Sequence, residues 1–308
     1  MAIAAIVAVI FSLYADTDEL RVSFSTFDYN LLPLILVFPI ANYLIRFVRW
    51  EYYLNALNIE VPRGESFGIF ISSLAMAVTP GKMGEVVKSY FLKSLHGVPI
   101  SRSAPIIFAE RVTDLLALLV ISIVGAYGIG HDKEFIIVFG VIFVAGIAVI
   151  ASRTMSMKII RFAEKLPVVS KWMKPLEIAY ESSRTMLSGR VLIVSTVLGL
   201  GAWFAECVGF FFVLDGLGIH LKLVSASFIY AFSIVIGAIS FLPGGLGATE
   251  TSLAGLLILA QIPKSASVAA TFIIRALTLW FAVIIGAGML SYMQRRYAVA
   301  INGKVENG

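Results

Sequence analysis

Charge is what this chain lacks. Of its 308 residues 14% are charged and 59% are hydrophobic, against about 25% charged in an ordinary soluble domain. That shortfall excludes a water-solvated exterior, and the mean hydropathy of +0.93 agrees. Cysteine is reduced to Cys207, which excludes an intramolecular disulfide. Histidine is scarce too. His96, His131 and His220 are scattered without metal-ligand spacing, so neither a metal nor a cofactor is expected. No P-loop occurs. The formal net charge of +5 resides in segments that flank apolar runs, which reads as a topology signal and not as a nucleic-acid surface.

What the chain has is apolar runs, at about 1–14, 31–57, 101–128, 135–151, 191–214 and 265–292. Many approach or exceed the roughly 20 residues that a membrane helix needs. Residues 1–14 lack a basic leader and read as a short or truncated first span, not a cleaved signal. Two further runs, 66–79 and 225–242, are short, enter a Pro-Gly turn and are followed by another short apolar stretch. Broken helices at membrane depth are tolerated only inside protein or along a wet cavity. The sequence therefore predicts an all-α integral membrane protein, a single membrane domain over 1–308. It would hold about six transmembrane helices plus two re-entrant helical hairpins.

Loop charge gives the orientation. The 15–30 loop carries Asp16, Asp18, Glu19 and Asp28 against Arg21. The 152–190 loop carries Arg153, Lys158, Arg161, Lys165, Lys171, Lys174, Arg184 and Arg190, and the tail begins with Arg295-Arg296. The positive-inside rule puts the basic loop and both termini in the cytoplasm and the acidic loop outside, in the cytoplasmic membrane. Apolar residues such as Ile159, Phe162 and Trp172 within the basic loop predict short amphipathic helices on the inner leaflet.

The two halves resemble one another. Ser66-Phe67 and Ser227-Phe228 head the hairpins; the breaks read Pro80-Gly81-Lys82-Met83-Gly84 and Pro243-Gly244-Gly245-Leu246-Gly247. With one inserted residue, Val98-Pro99 then matches Ile262-Pro263, and Arg111 matches Arg275; upstream, Leu57-Asn58-Ile59 matches Leu217-Gly218-Ile219. Repeat 1 covers 31–128 and repeat 2 covers 191–292, with a linking span and basic loop at 135–190. An odd number of segments separates the two starts, so the repeats have inverted topology, an arrangement that places a transport site at the repeat interface.

Ionisable groups at membrane depth need a reason. Arg111, Arg275 and Glu206 lie deep in their runs, and Glu110 and Asp114 share a helical face with Arg111 between them. Two symmetry-related guanidinium groups suit a phosphate, which they grip through a bidentate fork. Freed amides at the breaks Pro80, Gly81, Gly84, Pro243, Gly244, Gly245 and Gly247 add anion-binding capacity beside Lys82, Glu85, Lys88 and Glu250. For these charges a self-neutralising structural cluster is the competing account. Arg46, Arg49 and Trp50 read by default as an interfacial anchor, with a lipid-phosphate role for Arg49 as the alternative.

The stretches Arg49-Trp50, Thr79-Pro80-Gly81-Lys82-Met83-Gly84-Glu85, Glu110-Arg111-Val112-Thr113-Asp114 and Leu242-Pro243-Gly244-Gly245-Leu246-Gly247-Ala248-Thr249-Glu250 resemble the membrane region of lysylphosphatidylglycerol synthases. This flippase-like family is also designated UPF0104. The resemblance covers about residues 30–292. It implies a lipid flippase or translocase, not an enzyme, because the soluble synthase domain of two-part members has no counterpart before Gly308. The implied substrate is a phosphate-containing lipid, either an aminoacyl-phospholipid or a polyprenyl-phosphate-linked lipid. Membrane lipids are the expected partners; a homo-oligomer and a separate lipid-synthesising enzyme stay open. An integral-membrane transferase, with Glu250 or Asp114 as its reactive carboxylate, and a small-anion permease are the rival readings.

Overall fold

The structure, a computed structural model, describes residues 17–79, 84–129 and 181–305. The expected spans 1–14 and 135–151, most of the basic loop, and Pro80, Gly81 and Lys82 lie outside the described residues. Within them every regular element is helical.

In chain order, α1 is Thr17–Ser25, α2 Leu32–Ala56, α3 Arg63–Ser73, α4 Val87–His96 and α5 Ile100–Ile129. After the undescribed segment come α6 Gly189–Gly216, α7 Leu223–Ile239, α8 Ala248–Leu259, α9 Lys264–Arg275 and α10 Phe281–Val305. Helices α9 and α10 are continuous through a π-helical turn, Ala276–Trp280. Three stretches, Tyr29–Ala56, Gly189–Gly216 and Lys264–Arg296, are long and apolar enough to cross a membrane. Helix α5 has 30 residues and the length to cross, but carries Arg102, Glu110, Arg111 and Asp114. Helices α3, α4 and α8, at 11, 10 and 12 residues, reach only about half of a ~30 Å hydrocarbon core.

Sequence dictates which way these helices face. On α2 the residues Leu34, Val37, Ile40, Leu44 and Val48 form an exposed stripe, while Asn42, Tyr43, Arg46, Arg49 and Trp50 are buried. On α6, Ile193, Val197 and Phe204 point outward, and Ser195, Trp203 and Glu206 inward. A soluble amphipathic helix does the reverse. Here the apolar face suits hydrocarbon, and the polar face must find its partners inside the bundle.

Helix order repeats: long helix, short helix, break, short helix, long helix, in 32–129 and again in 189–305. The connections repeat as well. Asn58 and Gly218 both adopt positive φ, and Ile59 N–H and Ile219 N–H each donate to a carbonyl five residues back, Leu54 and Leu214, at 2.9 Å. Gly97 and Gln261 also have positive φ before Pro99 and Pro263, with Val98 N–H bonded to Leu92, six residues back, and Ile262 N–H to Leu257, five back. These are Schellman caps, in which a left-handed residue satisfies the last carbonyls of a helix.

Packing is reciprocal between the halves. The first long helices, α2 and α6, lie against each other; α5 packs on α7, and α10 packs on α3. Two buried clusters result. One centres on Trp50, Tyr53, Phe70 and Phe91, the other on Trp203, Phe210, Tyr230 and Leu253. The acidic 15–30 segment, expected as a loop, contains α1. Leu20 and Phe24 of that helix are held against Val268 and Ala269 of α9, and this tertiary packing, more than local propensity, makes it helical.

Candidate functional site

The second hairpin break meets the end of the arm that leads into the first. The second begins with Pro243 in a 3-10 turn; Gly244, Gly245 and Gly247 have φ of 62°, 67° and 90°, a left-handed run that residues with a Cβ resist. A Cβ on Gly244 would stand 3.3 Å from the Cα of Val78, just before the first break. Ala77, Leu246 and Leu279 close a small buried cluster there. Gly84 N–H, on the far side of the first break, donates to Thr79 Oγ1 at 2.8 Å.

Arg111 lies eleven residues beyond the start of α5, and Arg275 eleven beyond the start of α9, roughly 16 Å into each helix. Each meets a carboxylate from the arm that follows its own hairpin break. Arg111 Nη2 donates to Glu85 Oε2 at 3.2 Å; Arg275 Nε donates to Glu250 Oε1 at 2.6 Å. Arg275 Nη2 also donates to the carbonyl of Gly244 at 2.7 Å, and Glu250 Oε2 accepts from Gly247 N–H at 2.6 Å. Arg275 thus ties the second break together. The π-helical turn that follows it turns the Thr278 carbonyl toward Tyr43, whose hydroxyl donates to it at 2.9 Å. π-turns of this kind often mark functional positions.

The remaining charges form a network behind and beside this pair. Arg49, fully buried, donates to Asp114 Oδ1 at 2.7 Å and to Thr113 Oγ1 at 3.2 Å. Lys88, also fully buried, donates to Glu110 Oε2 at 2.6 Å, with its ammonium 4.8 Å from the centre of the Trp50 ring. Such an ammonium is stabilised by the ring as well as by its carboxylate. Glu206 accepts a hydrogen bond from Tyr230 at 2.7 Å. Counted together, buried Arg46, Arg49, Lys88 and Arg275 and half-buried Arg111 stand with buried Glu85, Glu110, Asp114, Glu206 and Glu250, five side chains of each kind.

A cavity of about 490 Å³ opens between the clusters. Arg46, Glu85, Arg111, Asp114, Glu206, Arg275, Gly244 and Gly245 line it, with Tyr43, Trp203 and Tyr230. Its rim is apolar: Phe108, Ile239, Phe241 and Leu242 line it and are exposed, Phe241 to 74%.

Two sequence expectations change. Arg46, Arg49 and Trp50 are not an interfacial anchor; all three are buried, because the polar face of α2 turns inward to Asp114, Glu85 and Ser66, whose Oγ accepts from Trp50 Nε1. Arg49, Lys88, Glu110 and Glu250 do not line the cavity but buttress residues that do. Glu110 and Asp114 share a helical face but not a partner: Glu110 pairs with Lys88 at 2.6 Å, while Asp114 pairs with Arg49 at 2.7 Å and, as its spacing suggested, with Arg111 at 3.3 Å. Arg46, Tyr43 and Tyr230 line the site although sequence reasoning gave them no part in it. The signal that could have found Arg46 and Tyr43 is their spacing with Arg49 and Trp50 along one helical face. Among the described residues no His, Cys, Asp or Glu group has metal-binding geometry.

Fold and site together define a multi-pass helical membrane protein with an ion-paired cavity inside its bundle. More particularly, the chain belongs to the family described as the lysylphosphatidylglycerol synthase TM region, matched over residues 1–286. It is 25% identical over 232 residues to a UPF0104 membrane protein of Methanocaldococcus jannaschii, covering 74% of this chain and 95% of that one. It is 23% identical to one of Pyrococcus horikoshii, covering 89% and 90%. A shorter match, 28% over 108 residues, is to glycosyltransferase AglD of Haloferax volcanii, and spans 35% of this chain but 17% of that protein.

Proposed function

We propose that the chain is a lipid flippase or translocase of the cytoplasmic membrane that moves a phosphate-containing lipid, and that it is not an enzyme. One observation carries this reading: a cavity lined by three arginines and closed by charged pairs has an exposed rim of Phe108, Ile239, Phe241 and Leu242. A lipid has that same division, an anionic head on apolar tails. A permease for a small anion would need a polar mouth that water can reach, and these four residues argue against one. A transferase would need a carboxylate able to act on substrate. Its candidates, Asp114 and Glu250, are held by Arg49 and Arg275 at 2.7 and 2.6 Å.

In this reading the short arms α3–α4 and α7–α8 are re-entrant hairpins from opposite faces, the halves are inverted repeats, and both termini are cytoplasmic. The lipid is an aminoacyl-phospholipid or a polyprenyl-phosphate-linked lipid, supplied by a separate lipid-synthesising enzyme. Mass spectrometry of lipids retained by the purified protein tests the substrate class. Stoichiometric phospholipid or polyprenyl phosphate, reduced in Arg111→Ala, is the expected result; protein free of any phosphate-containing lipid would refute the reading.

A further inference from the structure

Glu85 sits differently from its neighbours. Asp114, Glu110 and Glu250 each have a close cation, Arg49 at 2.7 Å, Lys88 at 2.6 Å and Arg275 at 2.6 Å. Glu85, also buried, is shared among three cations, Arg111 at 3.2 Å, Lys88 at 3.6 Å and Arg46 at 3.9 Å, and Arg111 reaches Asp114 as well at 3.3 Å. Glu85, Arg46 and Arg111 all line the cavity. The Nε–H groups of Arg46 and Arg111 are buried without a hydrogen-bond partner, a state that a ligand with more acceptor atoms than one carboxylate would relieve. A phosphodiester is such a ligand. It carries one negative charge, as a carboxylate does, and its two free oxygens match a guanidinium fork.

We infer that Glu85 is a tethered stand-in for the phosphate of the lipid: Arg46 and Arg111 form the anion site, Glu85 fills it in the empty protein, and a lipid phosphodiester enters by displacing it. The inference rests on the lipid reading above and deepens it. Arg275 belongs to the frame of the site, since its Nε and Nη2 are committed to Glu250 and Gly244. Glu85 stands in the helical turn at 84–86, directly before α4, so its displacement shifts the arm that follows the first break. Lipid entry and hairpin movement are thereby linked, and the returning carboxylate helps to expel the lipid.

The test is binding, not transport. Purified full-length protein in detergent is titrated with dihexanoyl phosphatidylglycerol, with dihexanoylglycerol, which lacks phosphate, and with dimethyl phosphate, which lacks tails. Removing the competing charge in Glu85→Gln should tighten phosphatidylglycerol binding about tenfold, and Arg46→Gln should weaken it about as much, while dihexanoylglycerol is unaffected. If Glu85→Gln does not fold, Glu85→Asp, with a shorter reach, should tighten binding several-fold. Unchanged or weaker phosphatidylglycerol binding in these Glu85 variants overturns the inference while leaving the lipid reading standing. Equal tightening for dihexanoylglycerol also overturns it. Dimethyl phosphate bound as tightly as the lipid would assign the site to a free anion and overturn both. Folded protein that binds no phosphatidylglycerol in any form would overturn the inference and leave only a polyprenyl-phosphate-linked lipid for the lipid reading.

Discussion

Arg49 shows how one residue can tolerate membrane depth. Its guanidinium is removed from solvent, with Nη2 donating to Asp114 and Nη1 to Thr113. Removing one partner of a buried pair leaves the other uncompensated and costs about 3–5 kcal/mol, whereas replacing both with apolar groups can be neutral. Arg49→Met should therefore lower the thermal midpoint in detergent sharply, and Arg49→Met with Asp114→Leu should recover most of the loss. A double variant as unstable as the single one would show that the pair is not the reason for the burial. Arg111, Arg275 and Glu206 were legible in the sequence because a charge far inside an apolar run is costly unless it faces a partner or a cavity within the bundle. Arg46 was not. A cation toward the end of a run satisfies an anchoring role equally well, and only its proximity to Glu85, on a helix 39 residues further on, decides between them.

At the scale of elements, close approach of helices sets the hairpin positions. A Cβ on Gly286 of α10 would lie 2.1 Å from the backbone nitrogen of Ala75, in the 3-10 turn that ends α3. Backbone cannot move aside cheaply, so Gly286→Ala should reduce the yield of folded protein or its thermal midpoint. Gly255→Ala in α8 is the control. Nothing stands within 4 Å of its Cβ position, and alanine in a helix interior gains about 0.5–1 kcal/mol over glycine. Equal behaviour of the two variants would contradict the packing of α10 on the first hairpin. The second break was readable because Pro243 and its glycines are strong local signals. Helix α1 and the π-turn after Arg275 were not readable. The first depends on contacts with α9, the second on a carbonyl bonded to Tyr43 from 235 residues away.

For the molecule as a whole, loop charge sets the orientation. In a Cys207→Ala background, Ser25→Cys should react with a membrane-impermeant thiol reagent from outside intact cells, and Ser170→Cys only after the cells are opened. Labelling of residue 170 from outside would reverse the proposed orientation. The family was accessible from sequence because its motifs are local and ordered. The cavity was not, because its walls come from both halves of the chain and its apolar rim is composed of residues that, in sequence, resemble any other lipid-facing position. The most direct test of the central claim is leaflet exchange of fluorescent phosphatidylglycerol and of a fluorescent polyprenyl-phosphate-linked lipid in proteoliposomes, read by quenching from outside. The wild-type protein should accelerate exchange of at least one of them over protein-free vesicles. Arg111→Lys, which keeps the charge but not the planar fork, should lower that rate about tenfold or more without losing thermal stability. Full activity in the Arg111→Ala, Arg275→Ala double variant, or no acceleration of either lipid by folded wild-type protein, would contradict the account.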